Sequence, residues 1–169
     1  MPTVGVAIEV PEPFGPLLRS KRAYFGDPQA ATVPTHVTLS PPVEVEEGRL
    51  DVLAKALLDA AGATEAFSMT LRGTGSFRPV SPVVFVAVAE GVSPTEQLAE
   101  HVREAIEAPV PDYPFHPHVT VAHHLVDSVL DEAFDDLADF ECTFTVDSFA
   151  LYLHDDEHGW TPQVTFPLA

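Results

Sequence analysis

Residues 34–39 read Pro-Thr-His-Val-Thr-Leu and residues 116–121 read His-Pro-His-Val-Thr-Val, so the tripeptide His-Val-Thr occurs twice. The two copies are separated by about half of the 169-residue chain. Successive side chains of a β-strand point to opposite faces, and residues two apart share a face. Each copy therefore predicts a strand that presents an imidazole and a hydroxyl on one face and branched apolar side chains on the other.

The two motifs define four polar and four apolar positions. The polar pairs are His36 with Thr38 and His118 with Thr120. The apolar residues that alternate with them are expected in a core: Val37, Leu39, Val119 and Val121. If the two strands face each other, they form a symmetric site with two histidines and two threonines.

The two halves of the chain predict the same order of elements: strand, helix, motif strand, helix, strand. Corresponding elements keep a nearly constant offset, which is the pattern of an internal duplication. We expect a single domain spanning 1–169, with pseudo-repeats at roughly 1–78 and 79–169. The prolines at 41 and 42 are expected to end the first motif strand, and the Ser-Pro-Thr-Glu segment at 93–96 is expected to cap a helix.

The formal net charge is −18, from 26 acidic and 8 basic residues. Non-specific affinity for nucleic acid comes mainly from Lys and Arg displacing counterions, so tight binding of long RNA or DNA is not expected. A small phosphorylated ligand remains open, because a few directed donors can outweigh a diffuse field that salt screens. The basic cluster of Arg19, Lys21 and Arg22 is either a phosphate patch or a solvated helix face, and the second is the simpler interpretation.

Cysteine content and hydropathy bear on the compartment. Cys142 is the only cysteine, which excludes an intrachain disulfide and a zinc site built on several thiolates. The longest apolar run, residues 83–89, is far shorter than the ~20 residues that span a bilayer. The N-terminus lacks the basic and apolar regions of a secretion signal. We therefore expect a soluble cytoplasmic protein, monomeric and without a membrane partner.

Histidine is the side chain whose ordinary pKa, about 6.5, lets it accept or donate a proton near neutrality. With one ring neutral and the other protonated, a pair of histidines can activate a nucleophile and protonate a leaving oxygen. Threonine hydroxyls can donate hydrogen bonds to the oxygens of a phosphoryl group between the two rings. Because this chemistry requires no metal ion and no cofactor, we predict neither. His36 and His118 are the catalytic candidates, and Thr38 and Thr120 are the phosphate-binding candidates.

At these residues the chain resembles the 2H phosphoesterase superfamily, which includes 2′,5′ RNA ligase-like proteins and cyclic phosphodiesterases. That family is defined by two His-x-Thr/Ser-x motifs, here His-Val-Thr-Leu at 36–39 and His-Val-Thr-Val at 118–121. The similarity extends to Phe77, to the strand at 82–88 and to the closing run at 149–168. It implies an α+β fold of two pseudo-symmetric lobes, each an antiparallel sheet with helices, around a central cleft.

The resemblance also implies a phosphoesterase for 2′,3′-cyclic or 2′,5′-linked ribonucleotide phosphates, with a small nucleotide or an RNA-terminal phosphate as substrate. One of His36 and His118 is then the base and the other the acid, and the assignment stays open. Relatives often carry a basic residue just beyond the second motif, where this chain has His123 and His124. A neutral imidazole binds phosphate less well than a guanidinium, which further disfavours polynucleotide binding. The alternative is a non-catalytic module that binds nucleotides or RNA ends.

Five further residues are candidates for substrate contacts. Phe77, Tyr152 and Trp160 could stack on a base, although strand aromatics more often pack in a core. Arg78 and His123 could reach a phosphate. A metal site is the competing hypothesis for one cluster, but the first half of the chain has no matching cluster. Its members are Asp112, His116, His118, His123 and His124.

Overall fold

The computed structural model describes all 169 residues, which form eight strands and four α-helices. The strands are β1 Thr3–Glu9, β2 His36–Glu44, β3 Phe67–Ser76, β4 Val83–Glu90, β5 His118–His123, β6 Glu141–Val146, β7 Ser148–Asp155 and β8 Gly159–Pro167. The helices are α1 Phe14–Tyr24, α2 Leu50–Gly62, α3 Val92–Ala105 and α4 Asp127–Asp136. None of these helices has the length and hydropathy that crossing a membrane requires.

The strands form two four-stranded sheets in which all neighbours are antiparallel. The first sheet has the order β2-β1-β7-β8 and the second has the order β5-β4-β3-β6. Each motif strand, β2 or β5, is thus an edge strand of its own sheet, and the two motif strands contact each other where the sheets meet. The predicted α+β fold, with an antiparallel sheet in each of two lobes, is confirmed.

The two sheets do not coincide with the two halves of the sequence. β3 belongs to the first half but pairs with β4 and β6 in the second sheet. β7 and β8 belong to the second half but return to the first sheet, where β7 pairs with β1. The helices cross in the same way, because α1 packs against β5 and α3 packs against β2. Each motif strand is therefore covered by a helix from the other half of the chain.

One continuous hydrophobic core runs through both lobes. The four apolar motif residues are buried in it: Val37, Leu39, Val119 and Val121. The histidines and threonines that alternate with them are half-buried. Leu57 of α2, Leu98 of α3 and Leu130 of α4 have no exposed surface, and each such burial contributes roughly 1.5–3 kcal/mol. The alternation predicted for both motif strands is confirmed.

A β-bulge follows each motif at the same place. In β5, Thr120 lies opposite Phe85 and His123 lies opposite Val83, so three steps on β5 match two steps on β4. The pairing of β2 shifts in the same way after Thr38. A bulge changes which face the following residues occupy. His123 therefore shares the face of Thr120, whereas strict alternation would place it on the opposite face.

Two local predictions are wrong. The prolines at 41 and 42 do not end β2, which continues to Glu44. An edge strand tolerates proline because one of its sides needs no hydrogen bonds. Ser93 does not cap α3, which begins one residue earlier, after Gly91 with φ +94°. The left-handed backbone of Gly91 makes the turn into the helix and leaves Ser93 inside its first turn.

Candidate active site

A cavity of about 330 Å³ lies beside the two motif strands. This volume is in the range of small-ligand sites. Three of the four motif side chains line it: His36, Thr38 and Thr120. Further residues of β2 and β5, residues from α1, β1, β7 and β8, and the segment between α1 and β2 complete the wall. They include Gly5, Arg22, Gln29, His123, Tyr152 and Trp160.

The two motif histidines make the same hydrogen bond. Nδ1 of His36 lies 2.7 Å from the carbonyl oxygen of Pro34, and Nδ1 of His118 lies 2.7 Å from the carbonyl oxygen of His116. A carbonyl oxygen only accepts, so Nδ1 of each ring must carry the hydrogen. This bond fixes the ring orientation and the tautomer, and it leaves Nε2 of each neutral ring as the basic nitrogen.

Both imidazoles have a lowered pKa. Burial is the main cause at His36 and at His118, and the hydrogen bond to the backbone carbonyl partly opposes it. The charges on Arg22 and then on His118 lower the pKa of His36 further, and the charge on His116 lowers that of His118. Burial disfavours the charged form of a histidine. The lowered pKa values favour the neutral form of both rings in the free protein.

His118 does not itself line the cavity and lies in an aromatic cluster. Its ring centroid is 5.0 Å from that of Phe77, 5.2 Å from that of Phe85 and 5.9 Å from that of His116. The ring of Phe77 meets that of His118 edge to face, with 86° between the planes. The apolar rings lower the local polarity around the imidazole and restrict its rotation. Phe77 is thus placed at the site through its contact with His118.

The sequence interpretation of Arg22 as part of a solvated helix face is wrong. Arg22 is only 6% exposed and lines the cavity. Its Nε donates to Oδ2 of Asp27 at 2.7 Å, and its Nη2 donates to Oε1 of Gln29 at 3.1 Å. Asp27 also accepts the backbone N–H of His123 at 3.1 Å, which ties α1 to the end of the second motif strand.

A helical spacing in the sequence could have identified Arg22. Residues three and four apart lie on the same helix face, and Arg22 follows the buried pair Gly15 and Leu18 at those spacings. Arg19 has the same spacing from Gly15 but is exposed, and Lys21 lies off the stripe. The three basic residues are neighbours in sequence, but only Arg22 is buried.

Tyr152 and Trp160 form the aromatic wall of the cavity. Tyr152 is 4% exposed, and its hydroxyl has no hydrogen-bond partner in the protein. Burial, together with the charge of Glu9, raises the pKa of Tyr152 to about 12, so the hydroxyl keeps its proton. The indole of Trp160 lies over Gly5, where a Cβ would stand 3.2 Å from the ring. The absence of a side chain at Gly5 thus makes room for Trp160.

Arg78 lies outside the cavity lining. Its Nη1 donates to Oδ1 of Asp131 on α4 at 2.9 Å, and its Nε donates to Oγ of Ser76 at 3.1 Å. The structure therefore holds this guanidinium against α4. The histidines of the proposed metal cluster do not converge into a ligand set. The acidic and histidine side chains that do lie together are exposed, on the turn between β7 and β8: Asp155, Glu157 and His158.

The fold and the site define a class of protein: two antiparallel lobes that each bring a His-x-Thr strand to a shared region beside one cavity. The chain matches the model of the 2′-5′ RNA ligase superfamily over residues 10–158 and belongs to that family. The resemblance to the 2H phosphoesterases noted in the sequence is thereby confirmed.

Relatives and solved structures agree with this membership. A Bacillus cytotoxicus protein named "Putative phosphoesterase" is 32% identical over 144 residues, which cover 84% of this chain and 83% of that protein. A Geobacillus kaustophilus protein with the same description is 28% identical over 164 residues, or 96% and 94% of the two chains. E. coli LigT complexed with ATP has a TM-score of 0.69 at 22% identity, covering 100% of this chain and 99% of its own. TT0787 of Thermus thermophilus has a TM-score of 0.68 at 24% identity, covering 99% and 98%. The two structures share the fold.

Proposed function

We propose that this protein is a metal-independent phosphoesterase that opens 2′,3′-cyclic ribonucleotide phosphates, or cleaves or forms 2′,5′ linkages, by acid–base catalysis between His36 and His118. The observation that carries the proposal is the matched hydrogen bonding of the two rings. Each Nδ1 is bound to a backbone carbonyl two residues earlier. Neither Nε2 has a hydrogen-bond partner within the protein, and in the neutral ring it is the nitrogen that accepts a proton, as general acid–base catalysis requires.

The hydrolytic reaction needs one neutral and one protonated imidazole. Nε2 of the neutral ring takes a proton from water as the water oxygen attacks phosphorus. The bond between phosphorus and the 3′ oxygen breaks, and Nε2 of the protonated ring donates its proton to that oxygen. The product is a nucleoside 2′-phosphate. Transfer of the proton between the rings through solvent restores the starting state. A 5′-hydroxyl that attacks in place of water opens the cyclic phosphate in the same way and forms a 2′,5′ linkage, and the reverse of that step cleaves the linkage.

The hydroxyls of Thr38 and Thr120 are proposed to bind the phosphate. Both line the cavity, one from each motif strand. Hydrogen bonds aimed at the non-bridging oxygens stabilise the charge that develops as phosphorus becomes five-coordinate. Two donors, one from each motif strand, would also hold phosphorus in line with the attacking and leaving oxygens.

The nucleoside is proposed to lie against the aromatic wall. Trp160 offers a ring for stacking, and Tyr152 lines the same wall beside it. Stacking of a base on an aromatic side chain contributes roughly 1–3 kcal/mol. Structures of E. coli LigT are complexed with 3′-AMP and with ATP, so a protein of this fold holds nucleotides of this size. A small nucleotide also suits the net charge of −18 better than a long RNA.

The test is turnover of the four 2′,3′-cyclic nucleotides in the presence of a chelator, with the product identified by phosphorus NMR. We expect a 2′-phosphate, and a loss of about 10²–10⁴-fold in rate for His36→Ala and for His118→Ala. His158→Ala, an exposed histidine on the β7–β8 turn, is the matched control and keeps the wild-type rate. Turnover that survives both motif substitutions contradicts the proposal. Nucleotide binding without any turnover favours the non-catalytic module instead.

A further inference from the structure

The cavity contains a single cationic side chain. The chain has eight Lys and Arg residues, and among them only Arg22 lines the cavity. The net charge of −18 makes the surroundings unfavourable for an anion. An anionic ligand that enters this cavity therefore depends on a local, oriented donor, and Arg22 is the one guanidinium that the fold provides.

Arg22 is held in place by a network that leaves one end of it free. Nε binds Asp27 and Nη2 binds Gln29, and these are the hydrogen bonds of the guanidinium within the protein. Nη1 has no hydrogen-bond partner in the protein. A guanidinium has five N–H donors in a rigid plane, so fixing one edge orients the other.

Asp27 is itself anchored by backbone donors from two elements. Its Oδ1 accepts the N–H of Gln29 at 2.9 Å, and its Oδ2 accepts the N–H of His123 at 3.1 Å. The side chain of Asp27 is 1% exposed, and that of Arg22 is 7% exposed. A buried ion pair of this kind is weak evidence for stability, because both charges must be removed from water. Its position at the wall of a cavity that also contains His36 and two motif hydroxyls points to a binding role.

We infer that the Nη1 edge of Arg22 binds the substrate phosphate in this cavity, with Asp27 and Gln29 as positioning residues. The inference rests on the proposed function only in taking the ligand to be a phosphate ester. Arg22 then supplies, from the first helix, the fixed positive charge that the residues after the second motif lack.

Arg22→Lys is the discriminating variant. A lysine at this position keeps a positive charge beside Asp27, so the buried carboxylate is not left alone, but its single ammonium cannot hold Asp27 and a phosphate with the geometry of a guanidinium. Arg19→Lys is the matched control, since it makes the same change on the same helix outside the cavity. Thermal melting of both variants checks that they fold.

The measurement is an NMR-detected titration of wild type and both variants with inorganic phosphate and with adenosine 2′-monophosphate. We expect the dissociation constant of both anions to rise about tenfold or more in Arg22→Lys, as for a lost hydrogen bond to a charged group, and to stay unchanged in Arg19→Lys. In the wild-type protein, the Nε–Hε signal of Arg22 shifts when phosphate is added, which tests the contact without any variant. An unchanged affinity in folded Arg22→Lys, an Nε–Hε signal that phosphate does not move, or a wild type that binds neither anion overturns the inference.

Binding and turnover separate this inference from the proposed function. If phosphate binds through Arg22 and no cyclic nucleotide is turned over, the inference holds and the catalytic proposal fails. If the wild type opens cyclic nucleotides and Arg22→Lys does so with the same KM, the catalytic proposal holds and the inference fails.

Discussion

His36 and His118 make the same hydrogen bond to the backbone on two strands that are far apart in sequence. Each ring is oriented by a carbonyl two residues earlier, and each has a pKa lowered mainly by burial. The chemistry expected of them was predictable from the residue types and the alternation alone. The hydrogen bonds to Pro34 and His116 were not, because they depend on the backbone path into each strand.

The lowered pKa values predict the pH dependence of kcat/KM. The active form needs one protonated and one neutral imidazole, and its population peaks between the two pKa values of the free enzyme. Because burial places both below the usual 6.5, kcat/KM should peak below pH 6.5 and decline through neutrality as the acid loses its proton. A pH–rate profile of 2′,3′-cyclic AMP opening checks this. A plateau that extends above pH 8 contradicts it.

The threonine hydroxyls carry a separate prediction. Thr38→Val and Thr120→Val remove one hydrogen-bond donor each and keep the shape of the side chain. Each should lower kcat/KM roughly 10–150-fold, because a hydrogen bond to a charged group is worth about 1.5–3 kcal/mol. Thr145→Val, an exposed position on β6, is the control and should keep wild-type kcat/KM. Wild-type kcat/KM in both motif variants would contradict the proposal that Thr38 and Thr120 bind the phosphate.

At the scale of elements, the positions of the motif strands could be predicted from the sequence, but the pairing of these strands with their neighbours could not. Apolar alternation located β2 and β5, but it contains no information on the bulge that turns His123 toward the face of Thr120. Arg22 also depends on contacts between elements, since its partners lie beyond the end of α1 and its position is tied to β5 through Asp27. The pairing of β4 with β5 and the hydrogen bond between Asp27 and His123 join residues distant in sequence, which local patterns do not encode.

The packing of β3 against β4 carries a prediction about His118. A Cβ at Gly75 on β3 would stand 2.6 Å from the ring of Phe85, which in turn contacts His118. Gly75→Ala should therefore displace Phe85, destabilise the protein by about 1–3 kcal/mol and lower kcat. Gly62→Ala at the end of α2 is the control, because nothing lies within 4 Å of the added atom. Thermal melting and turnover are measured for both variants. Wild-type stability and wild-type kcat in Gly75→Ala would contradict this packing argument.

For the whole molecule, the resemblance to the 2H phosphoesterases implied the two-lobed α+β fold, whereas the exchange of strands between lobes is visible only in the structure. The pseudo-repeats at 1–78 and 79–169 describe the order of elements, and the sheets are assembled across that division. Equivalent strands in the two halves have similar residue patterns. A duplicated pattern therefore cannot show which of the two sheets each strand joins. The consequence for function is that both motif strands lie at edges that meet.

The overall charge predicts how salt affects substrate capture. A chain with net charge −18 repels an anionic substrate at long range, and salt screens this repulsion within about 10 Å at 0.1 M. KM for a cyclic nucleotide should therefore fall as sodium chloride rises from about 10 to 150 mM. Steady-state kinetics over this range provide the check, with melting curves to show that the fold is unaffected. A KM that rises steeply with salt would indicate phosphate contacts by many surface cations, as in a polynucleotide-binding protein.

The most direct test of the paired imidazoles is a crystal structure of the complex with adenosine 2′-monophosphate. We predict that Nε2 of His36 and Nε2 of His118 both lie within about 2.6–3.2 Å of oxygens on one phosphate group, the reach that proton transfer requires. A phosphate held by only one of the two rings, or bound away from both, would contradict a shared catalytic site.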